Sequence, residues 1–365
     1  MSRIDVQKAS SKGLKELIAY LLESGRVSAV FSLRKDSKTG SYDLGLITEE
    51  AGMETAEPLA PVMIANAGQV LSSFAPPAEP IAVVLKPCEL RAFIERAKRE
   101  QGSLENILTI SMTCGGVLTR DRVVSGFDSD KVGDYENHCF AGDIHPETRD
   151  TCKACEYFVP MNADITVSMA GQEDAGTRCH IYLNTDLARE MAKGFGPDPA
   201  EEDFDSSITE GLASKRAAEK ERLYGAVMSG KGGLDAVIDT FGKCLGCHGC
   251  SRVCPICYCM ICDFESRNFD NDMPYFEKEL EQKGALRLPP DTMFFHIGRM
   301  IHMSFSCVGC GQCSDVCPAD IPVASVFKKV GEQTAAIFEY VPGRDIEESI
   351  PVMVFKEEEF TEFID

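Results

Sequence analysis

The sequence predicts an α/β (α+β) domain at the N-terminus and a mostly helical, cysteine-rich module in the C-terminal third. Three observations carry this reading. Short apolar runs of strand length alternate with segments of helical period up to residue 112, charged segments with little strand alternation follow, and one cysteine spacing repeats after residue 240.

Each element has a local reason. Ser10 and Ser11 read as a cap before Leu14, Leu17, Ile18, Leu21 and Leu22, whose three-and-four spacing makes one apolar stripe on a helix running to about Glu23. Residues 26–33 alternate and are rich in Val and Phe, residues 42–48 do likewise, and the Asp-Ser-Lys-Thr-Gly between them is turn chemistry, which predicts two strands. The run 81–85 predicts a buried strand, 90–98 a helix and 107–112 a strand leading to Cys114; that order points to an α/β layer. From 174 to 233 the chain is mostly charged and reads as helical, with FGPDPAEEDFDSS as an exposed acidic loop and TRCHIYL as a strand. The expected division is an α/β domain over 1–170, a mostly helical acidic connection over 171–235, the cysteine-rich module over 236–330, with a Pro-Pro break at Pro289 and Pro290, and an acidic extension over 331–365 whose end, KEEEFTEFID, is mobile or docks.

With 365 residues, 44% apolar and 26% charged, the chain has the composition of a soluble protein of two or three domains. A net charge of -21 opposes phosphate backbones and anionic lipid, so nucleic acid is excluded as a partner. The start MSRIDVQKASSKG is polar and no apolar run approaches spanning length, which predicts a cytoplasmic protein without a membrane span. In that reducing compartment seventeen cysteines read as metal ligands, not as a disulfide framework.

Cys244-x2-Cys247-x2-Cys250-x3-Cys254-Pro255 recurs as Cys307-x2-Cys310-x2-Cys313-x3-Cys317-Pro318, the bacterial two-cluster ferredoxin run given twice. Three thiolates spaced by two residues wrap one face of a four-iron cube, and the fourth cysteine reaches the other cluster. The ligand sets therefore cross: Cys244, Cys247, Cys250 and Cys317 for one 4Fe-4S cluster, Cys307, Cys310, Cys313 and Cys254 for the other. Gly246, Gly249, Gly309 and Gly311 suit tight turns whose N–H groups face cluster sulfur. A zinc ribbon would need only paired C-x2-C elements and leaves the doubled C-x3-C-P unexplained.

Nine cysteines lie outside these runs, enough for up to two more clusters. Cys152-Lys-Ala-Cys155 and Cys114, in TCGG at a strand end, predict a third cluster, with Cys88 in KPCEL or Cys139 in ENHCF as the fourth ligand. Cys257-Tyr-Cys259-x2-Cys262 supplies three thiols for a fourth. Cys179, in a predicted strand, reads as a buried hydrophobe, and the six histidines carry no assigned chemistry.

The stretches SSKGLKELIAYLLESGRVSAVF, KPCELRAFIERAK, TCGG and CKACEYFVPMNADITVSMAG, within residues 10–170, resemble the beta-subunit family of coenzyme F420-reducing hydrogenases and formate dehydrogenases, which are flavin and iron-sulfur proteins. From 241 to 355, FHIGRMIHMSFSCVGCGQCSDVCP resembles the dicluster ferredoxin domain of subunits associated with formate dehydrogenase and heterodisulfide reductase. The chain departs from the family in having Lys12-Gly13 for Gly-Gly and Leu85-Lys86-Pro87-Cys88 for Gly-Thr-Pro-Cys. The resemblance implies FAD, whose pyrophosphate would meet the positive helix start at Ser11, Lys12 and Gly13. It also implies an oxidoreductase subunit that relays electrons between a flavin or soluble carrier and other subunits of a complex. The alternatives are an FAD enzyme exchanging hydride with coenzyme F420 or a nicotinamide, and a structural or regulatory zinc protein; no G-x-G-x-x-G supports a separate nicotinamide domain.

Overall fold

The computed structural model describes residues 1–126, 129–227, 233–266, 271–284 and 292–354. Its centre is an eight-stranded mixed sheet of order β3-β2-β4-β5-β6-β7-β1-β8. The strands are β1 Ser2–Val6, β2 Ala29–Lys35, β3 Tyr42–Ile47, β4 Ile81–Val84, β5 Ile107–Met112, β6 Ile165–Ser168, β7 Cys179–Leu183 and β8 Ala200–Glu201. β2, β4, β5 and β6 run parallel, and β3, β7, β1 and β8 add antiparallel pairs at the two sides. The parallel strands are apolar on both faces because both are covered: every residue of β4, β5 and β6 is buried.

The helix Ser10–Glu23 lays Leu14, Leu17, Ile18 and Leu21 on one face of this sheet, and the helix Pro87–Ala97 packs Leu90, Phe93 and Ile94 against the other. Pro87 at the helix start, where an N–H has no partner anyway, and Glu89, whose carboxylate takes the Lys86 N–H at 2.8 Å, fix that start just beyond β4. The residue flanking the first helix is Ala9; Ser10 is already helical, and its hydroxyl reaches the Ser168 carbonyl at 3.4 Å instead of capping. The sheet also continues past residue 170 into the segment read as a connection, because β7 and β8 lie there before the long helix Ser207–Ala226.

The C-terminal module is helical. Gly233–Phe241, Thr292–Met303 and Val323–Ile337 surround a small core of Phe241, Phe295, Val323, Val326 and Phe327, with short helices Gly249–Arg252 and Gln312–Asp315 inside the cysteine runs. It is docked onto the sheet domain by buried side chains from both sides: Arg91 Nε donates to the Pro342 carbonyl at 2.7 Å, Arg96 Nη1 to the Pro255 carbonyl at 2.7 Å, and Gln312 Nε2 to the Met63 carbonyl at 3.0 Å. The predicted break at Pro289 and Pro290 and the tail KEEEFTEFID lie outside the described residues. Among the described residues no helix is long and apolar enough to cross a membrane.

Candidate metal centres

In the C-terminal module the two cysteine runs interlock. Cys254 joins Cys307, Cys310 and Cys313 around one cavity closed by Ile256, Val308 and Phe327, although Cys254 belongs to the first run. The other four thiols gather nearby: Cys250 is buried with Cys244, Cys247 and Cys317 as its neighbouring sulfurs. Backbone N–H groups face these sulfurs, Gly246 to Cys244 at 3.4 Å and Ile321 to Cys317 at 3.4 Å. Gly311 sits in the left-handed region at φ 84°, and a β-carbon there would lie 2.3 Å from Thr151 Oγ1, so only glycine lets the sheet domain approach this closely.

The sheet domain builds a further site from separated segments. Cys88 opens the helix after β4, Cys114 follows β5, and Cys152 and Cys155 flank the end of the short helix Asp150–Lys153. The Cys88 thiol has Cys310, Cys114 and Cys152 among its neighbouring anions, so this site abuts the cavity of the second run. The Gly116 N–H reaches Cys114 Sγ at 3.3 Å. Cys139 lies in the core of the sheet domain with Cys114 among its neighbours, and a β-carbon at Gly115 would meet Cys139 Sγ and Tyr135 Oη at 2.6 Å each. Cys179 is buried against the first helix, as read from sequence.

Burial governs the electrostatics of these thiols. It pushes Cys114 and Cys250 up to about 11 and Cys310 up to about 12, so at neutral pH they stay protonated until a bound metal displaces the proton to solvent. Cys254 moves the other way, below its ordinary value, because it accepts a hydrogen bond from Cys257 and Arg299 lies near.

Cations are buried at the same places in a strongly acidic chain. Arg299, 3% exposed, donates from Nη1 to Cys250 Sγ and from Nη2 to the Cys250 carbonyl, both at 3.1 Å. Arg216 donates to the Cys114 carbonyl at 3.0 Å and the Cys155 carbonyl at 3.4 Å, and Arg149 to the Cys310 carbonyl at 3.0 Å. Nε of both Arg299 and Arg216 is buried without a hydrogen-bond partner. Buried guanidinium groups need anionic company, and thiolate-bound clusters carry negative charge, so the residues present fit iron-sulfur groups at all three places. His296, lowered to about 3 by burial with Arg299 and His248 nearby, is neutral; it stacks on Phe241 with ring centroids 4.0 Å apart, and its Nε2 lies 3.3 Å from Cys244 Sγ.

These arginines and His296 are the site residues that sequence reasoning missed. One signal was there for two of them: His296 and Arg299 share a helix face with Phe295, and that face is buried.

The helix start expected to hold a flavin does not fit one. A β-carbon on Gly13 would lie 2.4 Å from the β-carbon of Cys179, so the missing side chain makes room for β7 and not for a pyrophosphate. Ser11 is half-buried and Lys12 exposed.

Two family models match the chain. Residues 78–195 match the C-terminal region of the coenzyme F420 hydrogenase/dehydrogenase beta subunit, and residues 240–321 match a 4Fe-4S dicluster domain. The F420-dependent formate dehydrogenase 1 subunit beta of Methanococcus maripaludis is 30% identical over 373 residues, 91% of this chain and 90% of the relative. The chain belongs to this beta-subunit family. The F420-dependent formate dehydrogenase subunit beta of Methanocaldococcus jannaschii is 27% identical, with 90% of each chain covered. A chain of the F420-reducing NiFe hydrogenase complex of Methanosarcina barkeri superposes with a TM-score of 0.43 at 12% identity, over 62% of this chain and 92% of that one. As a member of the beta-subunit family with a dicluster domain, the protein is an iron-sulfur electron-transfer subunit.

Proposed function

We propose that this chain is the electron relay of a formate-oxidising complex that serves the deazaflavin coenzyme F420, and that it carries three 4Fe-4S clusters in a row. The sheet domain holds the first on Cys88, Cys114, Cys152 and Cys155; the second is held by Cys254, Cys307, Cys310 and Cys313, and the third by Cys244, Cys247, Cys250 and Cys317. The observation that carries the row is the packing of Cys88 and Cys152 against the buried cluster that contains Cys310, which brings ligands of the first site beside a ligand of the second. Arg299 then stands between the second and third, lining the cavity of one and bonding Cys250 of the other.

Bound clusters supply reversible one-electron transfer at a potential set by net charge, hydrogen bonds to sulfur and solvent exposure. The chain provides the rest: Gly116, Gly246 and Ile321 N–H groups steady the thiolates, Arg216, Arg149 and Arg299 offset their charge, and Ile256, Val308 and Phe327 keep water from the middle site. Formate oxidation yields two electrons and one proton, and such a row passes the electrons singly; the carrier takes both together as a hydride plus a proton, the second proton coming from water, so a two-electron group must gather them between the row and the carrier. No step is assigned to FAD at the helix start, where Gly13 packs against Cys179.

The test is reconstitution with the formate-oxidising subunit under anaerobic conditions. The reading expects formate-driven reduction of F420 that is lost with Cys310→Ser, while formate-driven reduction of an artificial dye by the partner alone persists. F420 reduction at the wild-type rate in Cys310→Ser overturns the row.

A further inference from the structure

Cys257, Cys259 and Cys262 take no part in the three sites above, yet they are the most closely spaced thiols in the chain. The structure folds their loop into an open cup of about 290 Å³ lined by all three, with Phe264 as an apolar wall, the buried Arg299 beneath and the exposed His302 at the mouth. Cysteines that pack as small hydrophobes are buried. Here Cys259 is exposed and Cys257 and Cys262 are half-buried, so packing does not account for them.

Among the described residues the three sulfurs do not form a group with all ligand atoms within 4.8 Å of one another. The charge beneath suits an anionic occupant. Arg299 bonds Cys257 as well as Cys250, its Nε has no hydrogen-bond partner, and it lines both this cup and the enclosed cavity next to it. The loop is also held from outside: Arg96 donates to the Pro255 carbonyl and stands 5.6 Å from the Tyr258 ring centroid, which ties the cup's inner edge to the sheet domain.

We propose that this cup holds a fourth four-iron cluster, bound by Cys257, Cys259 and Cys262, with His302 at its fourth iron because no fourth cysteine lines the cup. It lies beside the middle site, since Cys257 hydrogen-bonds Cys254, and it reaches solvent at the exposed Cys259. The cup is therefore the branch at which single electrons enter or leave the row through a docked carrier. The ligand assignment stands apart from the three-cluster reading; the position as a branch rests on it.

The experiment compares full-length wild type with the Cys259→Ser/Cys262→Ser variant, both reconstituted anaerobically with iron and sulfide. The variant is expected to hold about four fewer irons per chain and to lose one component of the dithionite-reduced electron paramagnetic resonance spectrum. His302→Ala, at an exposed position, keeps its iron but shifts the g values of that component alone. Equal iron and superimposable spectra in wild type and double variant overturn the proposal, as does loss of one zinc in place of iron; unshifted g values in His302→Ala overturn the fourth ligand. Failure of the three-cluster reading lowers the total in both chains alike and leaves the difference between them intact.

Discussion

In the C-terminal module each site draws three thiols from one short run and a single one from the other, so a local spacing nearly specifies it. The sheet domain works in the opposite way. Cys88, Cys114 and Cys152 are separated by a helix, strands and long loops, and they meet because β4 and β5 are neighbouring parallel strands that deliver their C-terminal ends to the same edge. Ligands at the carboxyl ends of parallel strands follow from the α/β layer itself. The difference teaches that one kind of site is written in cysteine spacing and the other in strand order, while both rely on buried arginines that neither pattern announces.

The arginines give the sharpest way to break that comparison. Arg299→Met removes a charged hydrogen bond to Cys250, an interaction worth about 1.5–3 kcal/mol. Because reduction adds negative charge, the midpoint potential of the third cluster should fall, by about 60–130 mV for a one-electron couple. Arg299→Lys should recover part of the loss. Arg216→Met, which touches Cys114 and Cys155 through their carbonyls, should lower the sheet-domain cluster and leave the third unmoved. Spectroscopically monitored redox titration reads both, and a shift of both clusters by either variant would dissolve the distinction between the two regions.

Gly13 asks whether the sheet domain's helix start is packing or ligand site. Gly13→Ala drives a β-carbon into Cys179, and overpacking of this kind costs about 1–3 kcal/mol. Cys179→Gly should restore part of that stability in the double variant, as followed by thermal denaturation. Destabilisation with no rescue would mean that the glycine serves something other than β7.

A smaller effect is expected where the two regions are stapled. Glu95, fully buried, accepts from Tyr340 Oη, from the Gly343 N–H at 2.8 Å and from Arg99 at 2.8 Å. Burial raises its pKa, but these donors outweigh burial and hold the carboxyl below its ordinary value. A depressed folded pKa contributes stability above the unfolded value of about 4.3 and loses it as pH falls through the folded one. Glu95→Gln should therefore lower stability by about 1 kcal/mol at pH 7, and the gap to wild type should close below about pH 4. A gap that stays constant with pH would show that shape, not charge, staples the extension.

Much of this was legible in the chain. The strand at 107–112 and the turn at Asp36, whose carboxylate takes the Lys38 and Thr39 N–H groups, follow from local chemistry. The dicluster spacing needs no tertiary knowledge. The choice between Cys88 in KPCEL and Cys139 in ENHCF did, because spacing ranks neither and only packing sets Cys139 behind Gly115 with Tyr135. β7 and β8 escaped the helical reading of 171–235 because charged helices dominate its composition, although TRCHIYL read as a strand on its own. Gly13 looked like a phosphate-binding glycine and is a helix-packing one, a distinction that sequence does not encode.

Assembly of a cluster site from scattered cysteines is at stake in Cys114→Ser/Cys152→Ser, purified anaerobically. The variant should hold about four fewer irons and four fewer sulfides per chain than wild type, with the spectra of the two ferredoxin-type clusters unchanged. Iron and sulfide equal to wild type would contradict it.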